Sequence, residues 1–392
     1  MSPARVVAPL VLLALACGSS DDGDSGSGGS ANAGSGGTGA GGSQGSGGAS
    51  GTGGSDGASG TGGGTGGSAG TMGSGGAGGA GPTSGCGVAW TPADVEHETR
   101  RNRPPMQVAR RTIDVGGVQR EYLLAVPEGY DIEKPYALVF GLHGSGGSRE
   151  QLRGYMDVES PANGEAIFLY PSGLVTDRGD TGWNLSSTSP DLAFIDALLE
   201  KYSGELCIDA KRVFATGHSF GGCMSNSLGC FRGLPFRAIA PVAGCSGSGR
   251  NATCSGRIAT LLIHSPLDTS TGYGGAIGAC TRYLRANSCD ESPACGCHWV
   301  DELEDPADEC VQEAQEPYPT QVSIVPDARD DQPPVLRQYL NCDPGYPVVF
   351  IDHWRRERAE PGSPDERWHN PPPWSGGVIW EFFSTLPVLD IE

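Results

Sequence analysis

Residues 211–222 read KRVFATGHSFGG, a β-strand pattern that runs into Gly-x-Ser-x-Gly and then into small residues suited to a helix. This pattern predicts a sharp strand-to-helix turn whose first and last positions, Gly217 and Gly221, have no room for side chains. Such a turn exposes the hydroxyl of Ser219, which can attack a carbonyl when a histidine accepts its proton and N–H groups hold the oxyanion. A chance match in a glycine-rich chain is the alternative. We interpret Ser219 as a nucleophile because the flanking strand and helix are what the motif requires.

The first 17 residues have the pattern of an export signal. Arg5 supplies a positive start, and about eleven mostly apolar residues follow, which are too few to span a bilayer. Residues 14–16, Ala-Leu-Ala, form a small-x-small cleavage site, whereas Cys17 directly after them resembles the lipobox of bacterial lipoproteins. We favour the lipoprotein route, in which a lipid on Cys17 is the only link to a membrane. By either route the protein is secreted or held at the cell surface.

A long low-complexity segment separates this signal from the rest of the chain. Residues 18–85 consist almost entirely of Gly, Ser, Ala and Thr and contain no aromatic residue. Because such a segment cannot bury enough apolar surface to offset its ordering entropy, we predict a disordered linker. A Gly-rich coil of about 68 residues spans roughly 45 Å, enough to hold a domain away from a membrane or wall. Residues 86–392 have no comparable break and are predicted to form one globular domain.

The net charge and the cysteine content limit which binding partners and which cellular compartment are compatible with the sequence. The formal net charge of −20 argues against nucleic acid and anionic surfaces as partners. Setting Cys17 aside from the 13 cysteines leaves 12, an even number that predicts up to six disulfides of unknown connectivity in an exported chain. Cys295 and Cys297, with Cys289 and Cys310 nearby, suggest a zinc cluster as an alternative. Disulfides are favoured because the compartment is oxidising and a second Cys-x-x-Cys pair is missing.

Hydrophobic patterning indicates strands that alternate with helices. A hairpin is predicted around the glycines at 116–117, and several short apolar runs have the character of buried central strands. Strands alternating with helices predict a mostly parallel sheet covered on both faces, which is an α/β-hydrolase fold. The predicted strands are 111–115, 120–126, 136–142, 166–170, 212–215, 238–242, 258–263 and 347–351, and the predicted helices are 190–202, 220–230 and 377–386.

The turn after the strand at 136–142 predicts an oxyanion site. It reads His-Gly-Ser-Gly-Gly over residues 143–147, and N–H groups around Gly144 and Ser145 are expected to act together with the N–H of Phe220. A plain loop between a strand and a helix is the alternative. The turn gains weight because it precedes the Gly-x-Ser-x-Gly motif in the order that the fold requires.

An acid and a base are expected downstream of Ser219. Asp268 follows the apolar run that ends near residue 263, where this fold carries its acid, although a lone loop aspartate more often caps a helix. Three histidines follow it: His298, within the cysteine-rich insertion, His353, at a strand end, and His369, within the stretch WHNPPPW. We favour His369 because it lies between the last strand and the last helix, and we keep His353 as the alternative.

Several of these stretches together resemble a known family, the secreted feruloyl esterases and polyhydroxybutyrate depolymerase-like esterases of carbohydrate esterase family one. The resemblance covers most of residues 105–285 and implies an α/β-hydrolase fold, no metal cofactor, Ser219 as nucleophile and Asp268 as acid. Ser265 stands where the family usually has glycine, and the family's Gly-His-x-Trp-Pro turn survives only as the stretch 368–372. The insertion at about 287–335 has no counterpart. The stretches that carry the resemblance are 142–144, 182–184, 191–195, 207–222, 236–244, 263–268 and 273–275.

From these observations we expect an extracellular serine carboxylesterase that acts on a polymer, with feruloyl or acetyl esters of plant xylan as substrates. Depolymerisation of polyhydroxyalkanoate is the alternative, and a non-catalytic cell-surface binding module is the alternative of another class. Trp183 is expected either to stack on an aromatic acyl group or to lie in the core. We further expect a monomer.

Overall fold

The computed structural model describes residues 81–99, 103–177, 179–247, 252–290, 297, 333–354 and 368–389, together with the backbone of 311–312. The predicted export signal, the linker up to residue 80 and most of the 287–335 insertion lie outside the described residues. Within the described part, no helix has both the length and the apolar character needed to cross a bilayer.

The described residues form strands and helices that alternate along much of the chain. The strands are β1 (Glu96–Glu98), β2 (Met106–Val115), β3 (Val118–Pro127), β4 (Tyr136–Leu142), β5 (Ala166–Pro171), β6 (Leu174–Val175), β7 (Thr181–Gly182), β8 (Ile208–His218), β9 (Ala238–Val242), β10 (Ala259–His264), β11 (Val311–Gln312), β12 (Val335–Tyr339) and β13 (Val348–Asp352). The helices are α1 (Arg149–Tyr155), α2 (Glu159–Ala162), α3 (Pro190–Glu205), α4 (Phe220–Arg232), α5 (Tyr273–Ala286) and α6 (Ser375–Thr385).

One mixed sheet organises the fold, with strand order β1-β2-β3-β5-β4-β8-β9-β10-β13-β12-β11. The six strands from β5 to β13 run parallel to one another, while β1–β3 at one end and β12–β11 at the other pair antiparallel. The predicted hairpin is therefore the antiparallel pair β2–β3 near one edge of the sheet. Strands β6 and β7 form a separate small hairpin.

Side-chain alternation along the strands builds a core on each face of the sheet. In β4, Leu138 and Phe140 point into one apolar cluster, whereas Ala137 and Val139 point into the other. Helices α3, α4 and α5 contribute to the first cluster, and α1, α2 and α6 contribute to the second. Both faces of the parallel strands are thus buried, which explains why these strands are apolar throughout. The α/β-hydrolase prediction is confirmed.

The predicted elements are all found, with ends that differ by a few residues. The largest difference is at the start of β2, which begins at Met106 rather than at residue 111 because residues 106–110 also pair with β3. Helix α5 is missing from the sequence-based prediction, since its sequence YGGAIGACTRYLRA contains three glycines that disfavour a helix.

The folded part of the chain begins before Cys86, where composition placed the boundary. The N–H of Thr83 donates to the carbonyl of Ile208, and the N–H of Gly85 donates to the carbonyl of Ser203. Five disulfides join described cysteines, and they include Cys289 and Cys297 from the proposed zinc cluster. Such disulfides are those of a protein exported to an oxidising compartment. The pairs are Cys86–Cys207, Cys223–Cys245, Cys230–Cys254, Cys280–Cys297 and Cys289–Cys342.

Candidate active site

Ser219 occupies the turn between β8 and α4 and has a strained backbone, with φ 57° and ψ −123°. These angles match the first central position of a type II′ turn, which glycine usually occupies. A Cβ atom on Gly217 would lie 2.5 Å from the carbonyl oxygen of Gly221, and one on Gly221 would overlap the carbonyl of Leu142. The two glycines are therefore required by close backbone approach. The N–H of Ser219 donates to the carbonyl of Val242 over 2.9 Å and fixes the turn to β9.

Gly144 faces the nucleophile directly. A Cβ atom at this position would lie 3.3 Å from Cβ and 3.7 Å from Oγ of Ser219. The turn is closed by a hydrogen bond from the N–H of Gly147 to the carbonyl of Gly144, 3.0 Å long. Phe220 is the first residue of α4, and an N–H at this position has no carbonyl partner one turn back within its own helix. Gly144 and the first residue of α4 thus both lie next to Ser219.

His143 supports this turn as a neutral ring. Its Nε2 accepts from the N–H of Gly173 over 2.9 Å, so Nδ1 carries the proton and donates to the carbonyl of Gly144 over 2.8 Å. Burial lowers the pKa of His143, which favours this neutral form. The indole N–H of Trp183 donates to the His143 carbonyl over 2.8 Å, and the Trp183 side chain is buried at 4% exposure. Trp183 therefore lies in the core beneath the turn, the second of the two roles expected for it.

The hydroxyl of Ser145 forms a hydrogen bond with the neighbouring hairpin of β6 and β7. It donates to Oδ2 of Asp180 over 2.7 Å, and Thr176 donates to Oδ1 of the same carboxylate over 2.6 Å. The hydroxyl of Thr181 also donates to the carbonyl of Gly147. Ser145 thus anchors the turn through its side chain, and any role at the oxyanion falls to its backbone.

Asp268 lies in the loop after β10 and is buried, with four neighbours around its carboxylate. Oδ1 accepts from the N–H of Ser270 over 2.7 Å, and Oδ2 accepts from the hydroxyl of Thr271 over 2.9 Å. Nδ1 of His369 and Nε2 of His264 lie 2.8 and 3.2 Å from the same Oδ2. Burial raises the pKa of Asp268, but its contacts with His264 and His369 outweigh burial and hold the pKa well below its usual range. The carboxylate is therefore ionised.

His369 approaches the nucleophile from the segment before α6. Its Nδ1 donates to Asp268, which leaves Nε2 as the atom that can accept a proton. Its ring centroid lies 4.8 Å from that of His218, the residue before Ser219. Among the described residues, no hydrogen bond within 3.5 Å links His369 to Ser219 Oγ. Contacts of this kind often tighten only when substrate is bound.

His353, the alternative base, packs into the interior at the end of β13. It is 0% exposed, its N–H donates to the carbonyl of His264 over 3.1 Å, and its ring lies edge-on to Trp374. His298 lies outside the described residues. Of the two candidate histidines that the structure describes, His369 is the one that contacts the carboxylate of Asp268.

Comparison with known proteins identifies relatives of this chain. No family model matches it. It is 39% identical over 179 residues to a probable feruloyl esterase C of Aspergillus niger, covering 43% of this chain and 63% of the relative. It is 35% identical over 192 residues to a probable feruloyl esterase C of Aspergillus flavus, covering 46% of this chain and 67% of the relative. The chain belongs to the feruloyl esterase family.

Other members of the feruloyl esterase family match over different lengths. Feruloyl esterase D of Neurospora crassa is 29% identical over 324 residues, which cover 77% of this chain and 90% of the relative. This chain spans slightly under two thirds of the length of the first relatives that it matches. Among solved structures, the acetyl xylan esterase from Aspergillus awamori is 14% identical over 62% of this chain and 92% of that chain, with a TM-score of 0.43. At this score the likeness is partial.

The structure of this feruloyl esterase family member also brings in residues that sequence patterns did not single out. His218, His264 and Thr271 each contact the His369–Asp268 pair, although none of them was predicted to have a role. Their one sequence signal is adjacency, because each stands within a few residues of Ser219 or Asp268. No group of three or more His, Cys, Asp or Glu side chains suited to a metal ion occurs among the described residues.

Proposed function

We propose that this protein is an extracellular serine carboxylesterase with Ser219 as nucleophile, His369 as base and Asp268 as the acid that orients the base. The observation that carries the proposal is the buried, ionised Asp268 bonded to Nδ1 of His369, whose ring packs beside the turn that bears Ser219. This arrangement supports proton transfer from a serine hydroxyl to a neutral imidazole.

The proposed reaction has two halves. Ser219 Oγ attacks the ester carbonyl carbon while Nε2 of His369 accepts the hydroxyl proton, and Asp268 stabilises the resulting imidazolium. The N–H of Phe220 binds the negative carbonyl oxygen together with the N–H of Gly144 or Ser145, since the N–H of Gly146 already donates to the carbonyl of Thr181. Collapse of the tetrahedral intermediate expels the alcohol, which takes its proton from His369. Water then attacks the acyl-enzyme by the same route in reverse and releases the acid.

For substrate we propose esters carried by a plant polysaccharide, with feruloyl or acetyl groups on xylan as the first candidates. The names of the relatives support the feruloyl ester over a polyester and over a non-catalytic module.

We propose further that residues 1–17 direct export, that Cys17 carries a lipid and that residues 18–80 serve as a tether. Cys17→Ala should then release active enzyme from the membrane fraction into the medium.

The test uses the purified chain and a fluorophosphonate probe. The probe should label the wild type but not Ser219→Ala, and the wild type should hydrolyse p-nitrophenyl acetate. A panel of methyl ferulate, acetylated xylan and polyhydroxybutyrate then ranks the substrates. Correctly folded protein that neither takes up the probe nor turns over any ester would refute the esterase proposal, and a preference for polyhydroxybutyrate would refute the substrate proposal.

A further inference from the structure

His218 joins the nucleophile turn to the main chain of His369. Its Nε2 lies 2.8 Å from the carbonyl oxygen of His369, a residue 151 positions away in the sequence. Its Nδ1 lies 3.0 Å from the hydroxyl of Tyr155 at the end of α1. The His218 side chain is buried, whereas Tyr155 is about half exposed.

The hydrogen-bond partners fix the tautomer of this ring. A carbonyl oxygen can only accept, so Nε2 of His218 must carry a proton and donate it to His369. In the neutral ring Nδ1 is then an acceptor, and the Tyr155 hydroxyl donates to it. Burial, with a smaller effect from the neighbouring His369, lowers the pKa of His218 to about 3. The ring is therefore neutral over the pH range in which esterases are assayed.

The turn that bears Ser219 is already fixed by other contacts. The N–H of Ser219 bonds to Val242, and the N–H of Cys223 bonds to the carbonyl of Ser219 over 3.0 Å. His369 itself makes two hydrogen bonds in the described part of the chain, one from its ring to Asp268 and one at its carbonyl from His218. These two contacts hold the residue at both its ring and its main chain, which restricts the direction in which Nε2 points.

We propose that His218 is a positioning residue for His369, holding the base in register with Ser219 by donating a hydrogen bond to its main-chain carbonyl, while the Tyr155 hydroxyl donates to the other ring nitrogen of His218. The inference rests on the proposed function, because it assigns His218 a role only if His369 is the base. It predicts that the requirement at position 218 is an N–H donor at this reach rather than a histidine as such.

Three single variants test this requirement. His218→Phe keeps a flat ring but removes the donor, and kcat should fall by about 10- to 100-fold with KM changed by less than about threefold, since a small misplacement of a catalytic group costs this much. His218→Gln restores an amide N–H of similar reach and should recover activity to within about threefold of wild type. Tyr155→Phe should lower kcat by a smaller factor. Tyr202→Phe is the matched control, because it removes a hydroxyl that bonds to Tyr122 within the core and should leave kcat unchanged.

A double mutant separates this inference from the proposed function. If His218 acts through His369, His218→Phe should cause no further loss in a His369→Ala background. An equal loss in both backgrounds, or equal activity of the Phe and Gln variants, would overturn the inference while leaving the base assignment intact. Full activity of His369→Ala would instead refute the proposed base. Should His218→Phe fail to fold, Tyr155→Phe at a half-exposed position decides the matter, with unchanged kcat as the contradicting result.

Discussion

Replacing Gly144 with alanine adds one methyl group to the turn that faces Ser219. The new Cβ would lie 3.3 Å from the Cβ of Ser219 and 3.4 Å from the carbonyl oxygen of His218, which is at or just inside ordinary van der Waals contact. A shift of a few tenths of an ångström relieves this contact. Since the backbone of Gly144 is outside the left-handed region, alanine is compatible with the fold. The variant should therefore fold, with little change in the free energy of unfolding.

The effect on catalysis should be much larger. The methyl group would lie 3.7 Å from Ser219 Oγ, in the space that a reacting carbonyl must enter to come within about 3–3.5 Å of that oxygen. It also displaces the N–H groups proposed to bind the oxyanion, and losing one such donor typically costs about 100- to 1,000-fold in kcat. We expect a fall of this size in kcat/KM.

The assay is hydrolysis of p-nitrophenyl acetate and methyl ferulate, with Tm measured on the same samples by circular dichroism. Gly154→Ala is the matched control, because a Cβ on this exposed glycine of α1 meets no atom within 4 Å. The control should be stabilised by up to about 1 kcal/mol and keep full activity. A folded Gly144→Ala variant with more than a third of wild-type kcat/KM would refute the reasoning.

Three further perturbations have definite expected outcomes. His369→Ala should lower kcat by about four orders of magnitude with little loss of stability, whereas His353→Ala should destabilise the buried end of β13 and leave the kcat of folded protein largely intact. The opposite pattern would make His353 the base. The pKa of His218 is about 3 when folded and about 6.5 when unfolded, so the unfolded state binds more protons below pH 6.5 and the protein loses stability as the pH falls. At pH 4.5 the free energy of unfolding, measured in urea, should be lower by about 3 kcal/mol than at neutral pH, and this loss should be absent from the His218→Gln variant. Trp183→Phe removes the donor to the His143 carbonyl and should cost about 1–3 kcal/mol of stability with an unchanged KM for methyl ferulate, and a large rise in KM would restore the stacking role.

The fold and the order of the site residues could be predicted because both depend on local patterns. Apolar runs such as 136–142 are buried on both faces of the sheet, and the Gly-x-Ser-x-Gly turn needs its glycines whatever surrounds it. His369 could be preferred from its place between the last strand and the last helix. Contact with Asp268, 101 residues earlier, is a property of the folded chain.

Other features could not have been predicted, because they depend on side chains that meet only after folding. Tyr155 and His218 are 63 residues apart, and no sequence pattern at either residue predicts that they form a hydrogen bond. The buried state of Trp183 likewise follows from its bond to His143 rather than from its neighbours in sequence. Helix α5 forms despite three glycines since Tyr273, Ala276 and Tyr283 bury their side chains against the sheet. Tertiary packing here outweighs local propensity.

The backbone angles of Ser219 imply that the fold gives up stability at the residue it relies on for chemistry. A side chain held at φ 57° and ψ −123° costs of order 1–3 kcal/mol, and the surrounding sheet and helix must be stable enough to impose it. Glycine adopts such angles without this cost, so a Ser219→Gly protein would be inactive yet more resistant to unfolding than its parent, whereas Ser219→Ala would keep the strain. Selection for catalysis and selection for stability therefore act in opposite directions at this one position.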